Sequence, residues 1–167
     1  MVRQHRSEAM ITVRHATPAE LPACAELYAR VDAASHPWNP PNPDAVDYFL
    51  SFAEREEIWL AEIDGRLAGI LSLFRPESFV HSLYVEPAFQ GRGVGRALLD
   101  TVQATTPDPL SLKVEEPAAP ARAFYAHLGF VELGDGVNDL GIRWIRLQRA
   151  KPQNLATIQR RRASTPR

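Results

Sequence analysis

The chain has 167 residues, a net charge of −1, an apolar content of 45% and a charged content of 23%. These values predict one globular domain with its own core. No apolar run approaches the roughly 20 residues that a membrane span needs, and the first ten residues lack the apolar centre of a signal peptide. The single cysteine, Cys24, excludes an internal disulfide framework and favours a reducing compartment, so we expect a cytoplasmic protein with no membrane partner.

Basic residues are concentrated at the carboxyl-terminal end of the chain. Six Lys and Arg residues and no Asp or Glu lie between Arg149 and Arg167, which leaves 13 basic and 20 acidic residues, a net charge of −7, in the rest. We expect one domain at residues 10–149, with flexible tails at 1–9 and 150–167. The run Arg160–Arg162 is typical of a nucleic-acid-binding segment. No aromatic side chain on which a base could stack accompanies it, so we expect no nucleic-acid partner.

Hydrophobic periodicity predicts one strand and two helices in the first third of the chain. Residues 10–15 alternate polar and apolar side chains, as a half-buried strand does. Thr17 is the expected cap of a helix with Pro18 at its first position, and apolar residues then recur at helical spacing to about residue 33. A short second helix is predicted over residues 44–55. Four prolines within residues 35–43 exclude regular structure in the loop between the two helices.

The central part of the chain predicts three strands. Residues 57–63 and 66–74 flank Asp64-Gly65, a dipeptide typical of β-hairpin turns. Residues 80–85 are apolar, β-branched or aromatic and form the third strand. Pro87 ends this strand, because proline has no N–H for the hydrogen bonds of a sheet.

Three glycines then precede a predicted helix over residues 97–105. They belong to the turn Gln90–Gly95, QGRGVG, and they leave backbone N–H groups uncovered by any Cβ atom. Because these donors lie at the positive end of a helix, the turn predicts an anion site, for which phosphate is the usual occupant. A Walker loop is excluded, since no Lys-Ser/Thr pair follows, and Arg96 stands at the third glycine position of a dinucleotide fingerprint. The alternative is a structural turn that binds nothing.

The last third of the chain predicts a strand, a helix and two further strands. The strand covers residues 110–114 and the helix covers residues 118–128. The final strands are predicted at 130–133 and 142–148, with a glycine-containing loop at 134–141 between them.

The resulting order, β-α-α-β-β-β-α-β-α-β-β, defines the expected fold class. It predicts an α/β protein with a mixed, twisted β-sheet and helices on both of its faces. A helix connects the strands at 80–85 and 110–114, so these two strands are expected to pair in parallel.

The glycine turn resembles the acyl-CoA loop Q/R-x-x-G-x-G/A of GNAT-type N-acetyltransferases. Here the motif is Gln90-x-x-Gly93-x-Gly95, and it follows Leu83-x-Val85-x-Pro87. Further on, Ala121-x-x-Phe124-Tyr125-x-x-x-Gly129-Phe130 is similar to a later helix and strand of that family. The family's Asn seven residues before the Tyr is Ala118 here. The resemblance extends over residues 80–130 and implies the GNAT fold, with acetyl-CoA as the co-substrate; we expect no metal.

The resemblance also implies the residues that bind acetyl-CoA. The N–H groups of the turn, with the arginine side chains, would hold the pyrophosphate. The strand at 80–85 would pair with the pantetheine amides where it separates from the strand at 110–114, and a backbone N–H near Val85 would stabilise the oxyanion. The residues implied are Leu83, Tyr84, Val85, Gln90, Gly91, Arg92, Gly93, Val94, Gly95, Arg96 and Tyr125.

Three side chains are candidates for the proton transfers of such a reaction. Tyr125 matches the tyrosine that hydrogen-bonds or protonates the departing sulfur in the family, although it could also be a core aromatic residue. His81 is expected on the same face of its strand as Leu83 and Val85, because alternate residues of a strand share a face. Arylalkylamine-type members of the family carry a histidine at the corresponding position. We therefore take His81 as the first candidate for the general base, against a purely structural histidine. Glu115, at the end of the next strand, is the alternative base.

The acceptor site is implied by the same resemblance. The first helix, the proline-rich loop and the second helix shape the acceptor pocket in the family, which makes His36, Trp38 and Glu116 candidate substrate contacts. Trp38 could instead close the edge of the core, and Glu116, which is also an alternative base, could belong to a solvated strand end.

The sequence thus predicts an N-acetyltransferase that moves an acetyl group from acetyl-CoA to a primary amine by direct attack in a ternary complex. The alternative is a non-catalytic acyl-CoA sensor of the same fold. The acceptor is expected to be a small amine or an amino group of a peptide or protein, and the acidic body suits a cationic amine. A monomer or homodimer is expected.

Overall fold

The computed structural model describes residues 10–150, so the predicted tails at 1–9 and 151–167 lie outside the described part of the chain. The described residues form seven strands and four α-helices in the predicted order. The elements are β1 Ile11–His15, α1 Leu21–Ser35, α2 Ala45–Ala53, β2 Glu57–Ile63, β3 Arg66–Phe74, β4 Phe79–Val85, α3 Val94–Gln103, β5 Ser111–Glu115, α4 Ala119–His127, β6 Phe130–Val137 and β7 Arg143–Arg149.

The strands form one mixed sheet in the order β1-β2-β3-β4-β5-β7-β6. β4 and β5 pair in parallel, as predicted from their helical crossover, while the other neighbours are antiparallel. The parallel pairing is short, because only Phe79 with Ser111 and Val80 with Leu112 are partners. The two strands therefore separate towards their carboxyl ends, and we call the space between residues 81–85 and 113–115 the strand gap.

Helices cover both faces of the sheet, as predicted. The first core contains α3 and α4 side chains, such as Leu98 and Tyr125, packed against the sheet. The second core joins α1 and α2, through Leu27 and Phe49, to β2 and β3 on the opposite face. No residue of β5, β6 or β7 belongs to the second core. On the face of the sheet that α1 and α2 cover, the part formed by these three strands is therefore left uncovered. Cys24 is fully buried in the second core, as its helical position predicts.

The final hairpin differs from the prediction. The loop predicted at residues 134–141 is shorter, because β6 continues to Val137. Asn138 then closes the turn by accepting hydrogen bonds from the N–H groups of Leu140 and Ile142, each at 2.9 Å. Two of the three glycines that favoured a loop, Gly134 and Gly136, lie within the strand, whereas Gly141 lies in the turn. A Cβ atom at Gly136 would overlap the ring of Trp144. No helix within residues 10–150 is long and apolar enough to cross a membrane.

Candidate active site

The glycine turn leads directly into α3. Gly91 and Gly93 have φ angles of +76° and +85°, a region that glycine adopts far more readily than other residues. Gly93 caps α3, and its carbonyl accepts a hydrogen bond from the N–H of Ala97 at 3.0 Å. The N–H groups of the first turn before Ala97 therefore have no partner within the helix. A Cβ atom at Gly91 or Gly93 would meet nothing within 4 Å. The turn therefore offers unpaired donors on an open surface, which suits an anion.

Two members of the turn have structural contacts. The side-chain amide of Gln90 donates to the carbonyl of Val85 at 3.2 Å and ties the turn to the end of β4. Gly95 is buried in the first turn of α3, where a Cβ atom would lie 3.0 Å from Cζ of Phe124. The small residue at position 95 thus allows α3 to lie close to α4.

Two arginines flank the turn. The guanidinium carbon of Arg92 lies 5.6 Å from the centre of the Phe89 ring, and Arg92 has no ion pair within the described residues. Arg96 is exposed on α3, with its Nε atom 3.7 Å from a carboxylate oxygen of Asp100, one turn further on. Both cations are close enough in sequence to the unpaired N–H groups to add positive charge to the same surface.

The strand gap opens next to this surface. Leu83 and Val85 pack against the first core, whereas Tyr84 packs against the second. Beyond Val80, β4 has no partner in β5, so its backbone groups on that side are not satisfied by the sheet. An extended ligand arm could pair with this edge as an additional strand.

Tyr125 of α4 belongs to the first core, which also contains Val114 and against which Leu83 and Val85 pack. Its ring is 8% exposed and packs between Phe124 and Phe130, with ring centres 5.2 and 5.3 Å away. Burial raises the pKa of its phenol above the usual value. Its hydroxyl has no hydrogen-bond partner within residues 10–150, so a protonated donor is left available to a ligand.

Glu115 lies at the other side of the gap, on the face of β5 opposite to the buried Val114. Its carboxylate accepts hydrogen bonds from Nε1 of Trp38 at 2.5 Å and from the amide of Asn39 at 3.2 and 3.3 Å. The indole of Trp38 also packs against the first core. The loop between α1 and α2 therefore crosses the gap and brings Trp38 to Glu115. Asn39 was missed, since nothing in the proline-rich segment distinguishes it from other loop residues.

A second polar group links this loop to β4. The hydroxyl of Tyr84 donates to Oδ1 of Asp32 at 2.5 Å, and Nδ1 of His36 lies 3.1 Å from the same oxygen. Burial alone would raise the pKa of the Asp32 carboxyl, but the hydrogen bonds from His36 and Tyr84 outweigh it and lower that pKa. The hydrogen bond with Asp32 raises the pKa of His36 against the opposing effect of burial. Burial, with the charge of Asp32, raises the pKa of Tyr84 well above its usual value.

Asp32 is a residue that the sequence reasoning missed. Two signals could have found it: an acidic residue in the last turn of a helix is unfavourable to the helix dipole, and it lies four residues before His36. The rings of His36 and Trp38 are in edge contact, 5.5 Å between centres. One continuous chain of contacts thus runs from β4 through α1 and the loop after it to β5; its members are Tyr84, Asp32, His36, Trp38 and Glu115.

The position of His81 differs from the expected one. Ser72 pairs with Ser82 whereas Leu73 pairs with Val80, so His81 is the extra residue of a β-bulge. The prediction that His81 shares a face with Leu83 and Val85 is therefore wrong, because the bulge changes the alternation of side chains.

His81 instead lies on the α2 side of the sheet. Its Nδ1 atom is 3.0 Å from Oε1 of Glu56, and its ring packs on Phe52 with 4.5 Å between centres. It lines a cavity of about 300 Å³ with Tyr48 and Arg55. No contact in the described residues joins His81 to Trp38 or Glu115, so the two candidates for the base belong to separate groups.

Glu116 is directed away from the group around Glu115. Its carboxylate accepts a hydrogen bond from Nη1 of Arg143 at 2.6 Å, and Nε of the same arginine donates a hydrogen bond to the carboxylate of Asp135 at 2.7 Å. This network lines a shallow cavity beside the final hairpin together with Pro117 and Arg122. The structure therefore does not bring Glu116 to His36 and Trp38.

Comparison with known proteins identifies the family. Residues 38–151 match the family described as acetyltransferase (GNAT) domain. The chain is 34% identical over 124 residues to the peptidyl-lysine N-acetyltransferase YiaC of Escherichia coli, covering 71% of this chain and 82% of that protein. It is 33% identical over 131 residues to the N-alpha-acetyltransferase RimI of Mycobacterium tuberculosis, covering 74% and 80% of the two proteins.

A solved structure shares the fold. The structure of yncA from Salmonella typhimurium with its cofactor acetyl-CoA superposes with a TM-score of 0.59 at 24% identity, covering 83% of this chain and 92% of that one. Its likeness concerns the fold, and the sequence relatives carry the family assignment. The protein therefore belongs to the GNAT family of acetyltransferases, which confirms the resemblance seen in its glycine turn.

Proposed function

We propose that the protein transfers the acetyl group of acetyl-CoA directly to a primary amine in a ternary complex, with Tyr125 as the acid and Glu115 as the base. The observation that carries this proposal is the strand gap. The first core on one face of the sheet contains the phenol of Tyr125, which has no hydrogen-bond partner within residues 10–150, and the carboxylate of Glu115 lies on the other face. The sequence relatives named above are acetyltransferases of peptidyl lysine and of N-alpha amines. An amino group of a peptide or protein is therefore the acceptor we propose.

The glycine turn and β4 would position the co-substrate. Acetyl-CoA supplies an activated acetyl group as a thioester. The N–H groups that follow Gly93, together with Arg92 and Arg96, would bind its pyrophosphate. The unpaired edge of β4 would hold its extended arm by backbone hydrogen bonds, which brings the thioester into the gap next to Tyr125. A backbone N–H near Val85 would donate to the acetyl oxygen as negative charge develops there.

Glu115 and Tyr125 would handle the protons. A lysine amine, with a pKa of about 10.4, and a peptide amino terminus, with a pKa of about 7.7 to 8.0, are both mostly protonated at pH 7 and must lose a proton before they can attack. A carboxylate has about four acceptor positions, so Glu115 can accept this proton while it keeps the hydrogen bond from Trp38. The nitrogen forms its bond to the carbonyl carbon and still carries a second proton that it must lose. As the carbon–sulfur bond breaks, the sulfur receives the proton of the Tyr125 hydroxyl, and the second proton of the nitrogen returns to the Tyr125 oxygen, directly or through water. Glu115 releases the first proton to solvent.

The pH dependence of two variants tests the choice of base. Glu115→Gln should lower kcat/KM at pH 7 by about 10² to 10³, with partial recovery towards pH 10, where more of the amine is already deprotonated. His81→Ala should change it less than about threefold, since His81 belongs to a separate group. Glu116→Gln is the matched control, because it removes the adjacent carboxylate. A large loss with His81→Ala and none with Glu115→Gln would assign the base to His81.

The alternative of an acyl-CoA sensor is tested with the same protein. Release of free thiol is followed with acetyl-CoA and a panel of amines that includes peptide amino termini and lysine. Binding of acetyl-CoA without thiol release from any member of the panel would favour the sensor. Binding alone raises the melting temperature by mass action, so it is measured separately from turnover.

A further inference from the structure

Two cations occupy the part of the sheet face that α1 and α2 leave uncovered. Lys113 of β5 and Arg146 of β7 are direct partners in the antiparallel register. Like charges in directly opposite positions of a sheet are destabilising. Neither residue has an ion pair with a carboxylate within residues 10–150. This arrangement costs stability and is not compensated by an acidic side chain of the described chain.

Aromatic rings hold both cations in place. Nζ of Lys113 lies 4.2 Å from the centre of the Trp144 ring, and the guanidinium carbon of Arg146 lies 5.8 Å from the centre of the Phe79 ring. Contacts of this kind orient the charged group without neutralising it. Because Gly136 has no side chain, Trp144 can lie flat against β6 beneath Lys113. The surface is thus ordered before any ligand arrives, which reduces the entropy cost of binding.

The two cations lie at a defined distance from the proposed base. Lys113 and Glu115 are two residues apart on β5 and share a face, which corresponds to about 7 Å along the strand. Trp144 is the register partner of Glu115, as Arg146 is of Lys113. An amine bound at Glu115 would therefore have the aromatic ring beside it and both cations about 7 Å further along the sheet.

We propose that the acceptor is a peptide amino terminus followed by an acidic residue at its third position, whose carboxylate binds between Lys113 and Arg146. This inference depends on the proposed function, because it takes Glu115 as the place where the amine binds. An extended peptide advances about 3.3 Å per residue, so its third residue lies about 7 Å beyond the first. The carboxylate would then compensate the repulsion between the two cations.

A peptide fits this surface better than a nucleic acid. Phosphate groups would also be attracted to Lys113 and Arg146, but Glu115 shares their face, and the chain before Arg149 carries a net charge of −7 from 13 basic and 20 acidic residues. A polyanion would be repelled by this surrounding charge, whereas a peptide with one amine and one carboxylate matches the alternation of Glu115 with the two cations.

Matched peptides test the proposal through the rate of thiol release from acetyl-CoA. Three peptides differ only at the third position, which is Glu, Gln or Lys. For the unmutated protein, kcat/KM should be about fivefold to tenfold higher with Glu than with Gln, and lowest with Lys, mainly through KM. Lys113→Gln and Arg146→Gln should each reduce this preference, and Lys113→Glu should reverse it in favour of the Lys peptide.

Arg55→Gln is the control, because it removes an exposed cation of the α2 side and should leave the preference unchanged. Equal kcat/KM for the Glu and Gln peptides would overturn the inference and leave the proposed function intact. No thiol release with any of the peptides or the amine panel would overturn the proposed function and this inference with it. An oligonucleotide that binds through Lys113, in the absence of a peptide preference, would assign the surface to nucleic acid instead.

Discussion

Replacement of Tyr125 by Phe separates a catalytic hydroxyl from a packing role. The variant keeps the ring between Phe124 and Phe130, so the first core should stay intact. The hydroxyl has no hydrogen-bond partner within residues 10–150, and its removal therefore leaves no buried donor or acceptor unpaired. We expect the free energy of unfolding to change by less than about 0.5 kcal/mol.

The effect on turnover should be much larger than the effect on stability. A positioned general acid contributes about 10² to 10⁴ to the rate, which corresponds to about 3 to 5 kcal/mol of transition-state stabilisation. Because the proton is donated as the carbon–sulfur bond breaks, the loss should appear in kcat while the affinity for acetyl-CoA changes little.

Three measurements on each variant check this prediction: kcat from thiol release, Kd for acetyl-CoA from calorimetry, and the melting temperature. Tyr48→Phe is the matched control, since it removes the same group from a residue that is 47% exposed on α2. Full turnover of Tyr125→Phe would refute the catalytic role. A lower melting temperature with full turnover would show that Tyr125 is only a core residue.

Three further changes test other parts of the site. Gly93→Val should abolish the increase in melting temperature that acetyl-CoA causes and should itself cost about 1 to 2 kcal/mol, because the φ angle of +85° disfavours Val. The contact of Asp32 with His36 should contribute most stability between about pH 4 and 6.5. Below this range Asp32, whose pKa is lowered, becomes protonated, and above it His36, whose pKa is raised, loses its proton, so the contribution falls on both sides. Asp32→Asn should flatten this part of a plot of melting temperature against pH. Gly136→Ala should cost about 1 to 3 kcal/mol in urea unfolding and change the Trp144 fluorescence, because the new Cβ atom would overlap the ring.

The fold and the glycine turn could be predicted because their signals are local. Strand and helix periods, the Asp64-Gly65 turn and the prolines at element ends lie within a few residues of the structure that they determine. The same holds for Gly93, whose left-handed φ angle and position before α3 follow from the motif itself. Helices on both faces then follow from the order of the elements.

The sequence named Trp38, His36 and Glu115 as candidates, but their contacts could not be predicted, because these contacts join distant parts of the chain. Tyr84 meets Asp32 across 52 positions, and Trp38 meets Glu115 across 77. The bulge that moves His81 to the α2 side depends on the register between β3 and β4, and no residue of the strand itself indicates it. The assumption that alternate residues of a strand share a face fails at such a position, because it requires an uninterrupted pairing with the neighbouring strand.

The alternation of side chains along β5 explains how one short strand can serve both core and site. Leu112 and Val114 are buried in the first core, on the face that α3 and α4 cover. Lys113 and Glu115, which alternate with them, lie on the opposite face. There Glu115 accepts a hydrogen bond from Trp38, which belongs to the loop between α1 and α2. A one-residue shift of β5 would bury both charges and expose both apolar side chains. The core that fixes this register therefore also fixes the distance between the proposed base and the two cations proposed to select the acceptor.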